Sequence, residues 1–138
     1  MKTLLIKTYR PTTTYTQPHF FILNKGLNSG KPLKAPCPNC FVCLLDNPDS
    51  VDQLYWIAYA LWKSKQLEMF LRGSVIPFIT IGEYRKHFLR TIRAAREKES
   101  QLEKLIQTFK LLEIQEQKIH NSLKMIETAR MAFFSELL

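Results

Sequence analysis

The sequence predicts an α+β fold: a small mixed β-sheet head with one packed helix, followed by a long C-terminal coiled-coil-like helix or a helical hairpin in its place. Short runs of β-branched and aromatic residues, broken by proline and glycine, occupy the stretch up to Leu45. An aromatic-rich pattern of helical character starts at Ser50. No glycine or proline follows Gly82, and from Leu102 apolar residues return in alternating steps of three and four. The expected division is a head over residues 1–81 and a helical dimerisation or spacer segment over residues 82–138.

Taken in order, Thr3 to Tyr9 and Thr12 to Thr16 read as strands separated by Pro11, because β-branched and aromatic side chains dominate both. Phe20 to Leu23 is a short apolar run of the kind a buried strand needs. Asn24 to Pro32 reads as a loop, with glycines and asparagines suited to positive φ. Cys40 to Leu45 is a second apolar strand, closed by a turn at Asp46-Asn47-Pro48-Asp49. Ser50 with Gln53 has capping-box spacing, and Val51, Leu54, Ile57, Ala58 and Leu61 give the inward face of the helix that follows. Tyr55, Trp56, Tyr59 and Trp62 make that helix apolar nearly all round, which predicts packing on more than one side. Gly73, after Arg72, suits a helix C-terminus. Val75 to Ile81 reads as an edge strand because Pro77 cannot donate to a ladder. Thr80 with Glu83 repeats the capping-box spacing and opens the long helix.

The seam of that helix comprises Leu102, Leu105, Phe109, Leu112, Ile119, Leu123, Ile126 and Phe133, with Leu137 continuing it and Glu116 and Arg130 interrupting it. A single helix of this span would be roughly 80 Å long at about 1.5 Å per residue, more than the head can cover. Another copy, a partner, or a fold-back near His120-Asn121-Ser122 must therefore bury the seam. A homodimer is the expected solution, with parallel and antiparallel pairing both open.

Net charge is +8. Lys25, Lys31 and Lys34 lie in an N-terminal stretch free of acids, and Arg85, Lys86, Arg90 and Arg93 cluster where the long helix begins. These seven are candidate phosphate contacts for duplex DNA; a solubilising surface explains them equally well. Cys37, Cys40 and Cys43 resemble half of a zinc ribbon, but no second ligand pair exists and His19, His87 and His120 lack ligand spacing. On a strand, Cys40 and Cys43 would point to opposite faces, so buried structural thiols are expected and no metal. Gly26 to Pro32 is one residue short of a phosphate-binding loop and has proline where the magnesium-binding hydroxyl belongs. No catalytic residue set can be assembled, so neither an enzyme nor a cofactor is expected. Leu4-Leu5-Ile6 is too short for a signal-peptide core and no run reaches membrane-span length. With an odd number of cysteines, a cytoplasmic protein is expected.

The stretch QLYWIAYALWKSKQLEMFLRGSVIPFITIGEYRKHF, starting at Gln53, resembles the distal target-recognition domain and spacer helix of type I restriction–modification specificity subunits. The likeness lies in Leu54-Tyr55-Trp56 with Leu61, in Gly73-Ser74-Val75-Ile76-Pro77-Phe78-Ile79, and more loosely in LLEIQEQKI at 111–119. NSGKP and PNCFV also resemble pieces of small Bacteroides-type mobile-element proteins. The resemblance implies a non-catalytic DNA-associated module, a truncated specificity subunit dimerising through its helix. The alternative is an adapter or inhibitor pairing with methyltransferase or restriction subunits without touching DNA. No base-contacting residue is carried over by these motifs.

Overall fold

The computed structural model describes residues 4–138. In chain order it contains β1 (Leu5–Thr8), β2 (His19–Leu23), β3 (Pro32–Leu33), β4 (Cys40–Leu44), α1 (Asp49–Lys63), a 3₁₀ turn (Glu68–Phe70), α2 (Ile81–Glu97) and α3 (Glu99–Leu137). The chain divides into a compact α+β unit ending at Ser100 and a second unit, Gln101–Leu138. The first third of the segment read as spacer is therefore part of the head, not of the stalk.

The sheet order is β1-β4-β2-β3, and every neighbouring pair is antiparallel, so the sheet is not mixed. Register places Ile6, Cys43 and Phe20 side by side across three strands, with Ile22 opposite Phe41. This set faces the helices: Phe20 meets Tyr55 and Phe88 edge-on at 5.8 and 6.4 Å, and Phe41 lies 6.1 Å from Tyr84. The alternate residues Phe21, Cys40, Val42 and Leu44 form a cluster on the other face, covered by Tyr9, Tyr15, Leu33 and Cys37. With both faces covered, all of β4 is buried. That is why it reads as an unbroken apolar run and not as an alternation.

Several expected elements are replaced, each for a physical reason. The sequence starts the first strand at Thr3, which lies outside the described residues; within them β1 starts at Leu5. Thr12 to Thr16 is not a strand. Pro11 begins a turn closed by Thr13 N–H donating to Arg10 O at 3.1 Å, and Tyr9 and Tyr15 fold back over Phe21. Pro32–Leu33, read as the end of a loop, is a short strand held against Phe21 and Ile22. The helix capped by Ser50 instead starts at Asp49, whose N–H is taken by Asn47 Oδ1 at 2.9 Å. It ends at Lys63, not beside Gly73. Gly73 (φ +95) instead turns the chain so that Arg72 and Phe78 exchange backbone hydrogen bonds of 2.8 and 2.9 Å. Val75 to Ile81 consequently forms only isolated bridges at Phe78, and Val75 and Ile76 are exposed.

Thr80 does cap α2, its hydroxyl accepting from Glu83 N–H at 3.3 Å. α2 buries Tyr84, His87, Phe88 and Ile92 against the sheet side of the head. The helical path breaks at Lys98 (φ −112, ψ 35). From Arg93 to Gln101 the only apolar residues are Ala94 and Ala95, so no large apolar side chain anchors a continuous rod there. Beyond the break α3 runs uninterrupted through His120, Asn121 and Ser122. A hairpin at those residues is excluded.

Candidate functional site

The seven cations read as candidate phosphate contacts fall in separate places. Lys31 and Lys34 flank β3, at one edge of the sheet, and reach the outer rings of α1: Lys31 Nζ lies 5.3 Å from the Trp62 ring centroid and Lys34 Nζ 5.5 Å from that of Tyr55. Lys63, which sequence reasoning missed, approaches Trp62 at 5.2 Å. Its position in the last turn of a helix ending in rings was the available signal. Lys63 and Lys65 also line a cavity of about 230 Å³ with Asn28, Ser29 and Trp62. Lys25 is exposed and bridges through its backbone to Phe78.

Arg85 belongs to the opposite edge. Its Nη2 donates to Ile6 O at 3.0 Å on β1, three strands from β3, a separation of roughly 14 Å at the usual strand spacing. Lys86 and Arg90 are exposed on α2. Arg93 lines a second cleft of about 330 Å³ together with Arg96, over a floor that includes Leu45, Leu54 and Ile92. The structure thus gathers Lys31, Lys34, Lys63 and Lys65 near the α1 rings and leaves the α2 cations elsewhere.

The ladder Tyr55–Trp56–Tyr59–Trp62 runs edge-to-face down α1, with centroid separations of 5.5, 4.9 and 5.8 Å. Trp56 is buried, whereas Tyr55, Tyr59 and Trp62 are half-buried. The ladder is therefore part core and part lysine-covered surface.

The three cysteines diverge. Cys40 packs in the cluster on the outer sheet face, its thiol donating to Cys37 O at 3.0 Å. Cys43 occupies the helix-facing side. Burial pushes the Cys40 thiol up to about 11 and the Cys43 thiol higher still, so neither supplies a thiolate near neutrality. Among the described residues no three His, Cys, Asp or Glu side chains come together as metal ligands. His87 is committed elsewhere: it pairs with Glu83 Oε1 at 2.9 Å and stacks on Phe70 at 4.0 Å. Hydrogen bonding to His87 holds the Glu83 carboxyl below the usual range, and the Lys86 and Arg72 charges act in the same direction.

The seam on α3 is exposed over much of its length. Leu102 is buried and Phe109 half-buried, so the open part starts at Leu105 and extends through Leu112, Ile119, Leu123, Ile126, Phe133 and Leu137. Six of these, from Leu112 to Leu137, are 49–82% exposed. Ile106, one helical turn beyond Leu102, is buried as well. Among the described residues no helix is long and apolar enough to cross a membrane.

A family model described as a family of unknown function (DUF6943) matches residues 6–136, taking in both the head and nearly all of α3. No curated protein matches the chain, and no solved structure does.

Proposed function

We propose that this chain, which belongs to that family of unknown function, is a non-catalytic assembly module: a folded head joined to a helix that associates with a second helix. One observation carries the reading. On the 39-residue α3, an apolar seam repeating every seven residues is exposed from Leu112 to Leu137. Exposed apolar area of that extent on a soluble helix favours association, at about 25 cal/mol per Å² removed from water. The seam winds around the helix as a heptad pattern does, which suits a left-handed pair. The family match spans head and helix together, which favours treating the two as one functional unit. The partner expected is another copy of the chain. Pairing with a helix of a restriction–modification subunit is the alternative already raised by the sequence resemblance.

Light scattering of the purified full chain tests the reading. A dimer is expected, reduced to monomer by Ile119→Asp together with Ile126→Asp, while far-ultraviolet circular dichroism of the head signal is retained. A wild-type monomer at all accessible concentrations would end it.

A second reading is favoured by the lysines of the β3 edge. Lys31, Lys34, Lys63 and Lys65, set around Trp62 and Tyr55 with Glu68 beside Lys63 and Lys65 in the same cavity, make a net cationic patch suited to a phosphate backbone. The dimer would then carry two DNA-associating heads.

A further inference from the structure

We infer that the occupant of the α3 seam is a second copy of α3 running antiparallel, in the register that sets Leu123 of one helix opposite Ile126 of the other. This rests on the self-association reading above and adds its geometry. With α3 unbroken through residues 120–122, the helix cannot cover its own seam, so a separate helix has to.

Charge selects the direction. Two residues of the seam are charged, Glu116 and Arg130, and both are at a positions. In a parallel pair in register, a faces a, so Glu116 would stack on Glu116 and Arg130 on Arg130. Both contacts are like-charged and half-desolvated. Reversing one helix removes both clashes. The layers become Leu112 with Leu137, Glu116 with Phe133, Ile119 with Arg130, and Leu123 with Ile126. Glu116 then lies three residues, roughly 4.5 Å along the axis, from the partner's Arg130. That distance is within reach of two long side chains, and the contact occurs twice by symmetry.

The flanking positions select the register. With Leu123 opposite Ile126, His120 faces the partner's Glu127, and Glu113 faces Phe134. Sliding the helices by one heptad, so that Ile119 meets Leu123, instead sets Glu113 against the partner's Glu127. In the parallel pair the flanking positions of this stretch set Gln115 against His120 and Ser122 against Glu127, which gives no His120–Glu127 contact. The preferred overlap starts near Leu111 and spans about 40 Å. Its apolar layers are made of side chains that are exposed in the single chain.

A charge-swap cycle on the full chain, read by sedimentation equilibrium, tests the proposal. Glu116→Arg alone and Arg130→Glu alone should each weaken dimerisation, on the order of tenfold, by turning two attractive cross-helix contacts repulsive. The double variant should return to within about threefold of wild type. These positions are on a helix surface, so the head folds in every variant. In parallel, oxidation of mixed Leu112→Cys and Leu137→Cys chains should give the mixed disulfide, and Leu112→Cys alone should give none beyond the wild-type background. A monomeric wild type overturns self-association itself. A dimer indifferent to both single swaps, or one in which Leu112→Cys links to itself, overturns the antiparallel register and leaves self-association standing.

Discussion

Replacing Tyr84 by phenylalanine should make the head more stable. Tyr84 is fully buried beneath Phe41 and against Phe88, and among the described residues its hydroxyl is the buried side-chain polar atom without a hydrogen-bond partner. Burial pushes its ionisation well above the ordinary phenol range. A hydroxyl taken from water without a partner costs about 1–3 kcal/mol. Deleting one oxygen leaves a space smaller than a methyl group, worth under about 1 kcal/mol. The expected net gain is about 1 kcal/mol, a rise in Tm of roughly 4–8 °C for a unit of this size. Urea titration and calorimetry of wild type and Y84F, compared at one protein concentration, measure it. A loss of 1 kcal/mol or more in Y84F would refute the reasoning, because only a satisfied hydroxyl stabilises by that much.

Three further outcomes follow from the same geometry. Gly30→Ala should cost about 1–3 kcal/mol in urea unfolding, because its φ of +99 disfavours any side chain and the new Cβ would collide with Leu67. The lowered Glu83 carboxyl contributes stability that is fully present above the ordinary carboxylate value and lost as pH falls through the folded one. Between about pH 5 and 3, the urea midpoint of Glu83→Gln should therefore fall less steeply than that of wild type. Replacing Lys31, Lys34 and Lys63 together by glutamate should abolish any fluorescence-anisotropy signal with duplex DNA at low salt. Wild-type affinity should fall steeply as salt rises; wild type silent at low salt would dispose of the DNA reading.

What was legible in the sequence was what local chemistry alone decides. Phe20–Leu23 and Cys40–Leu45 were readable as strands because continuous apolar runs of that length have few alternatives, and Thr80 announced α2 through its spacing to Glu83. The misses came from tertiary packing. Thr12 to Thr16 has strand composition, yet Tyr15 serves better as a lid over Phe21 than as a ladder residue. Val75 to Ile81 has it too, but Pro77 and the left-handed Gly73 leave Phe78 as the only paired position. The break at Lys98 carries no proline or glycine to mark it. At the candidate site, the cations were recognisable singly, but their separation onto opposite sheet edges depends on strand order, which no local pattern encodes. Lys63 joins Lys31 only because β3 is folded against α1.

The two-sided burial of β4 has a consequence for how the head reaches its native pairing. In a sheet with one wet face, a strand paired one residue out of step drives its greasy side chains into solvent and is rejected at once. β4 has no wet side to make that distinction, and shifting Cys40 to Leu44 by one position would merely exchange one oily layer for another. Discrimination must come from shape: the Phe41 ring packs on Tyr84, and the smaller Val42 belongs to the cluster that Tyr9, Tyr15 and Leu33 cover. Such proofreading by size requires the helices and the tyrosine lid to be in place.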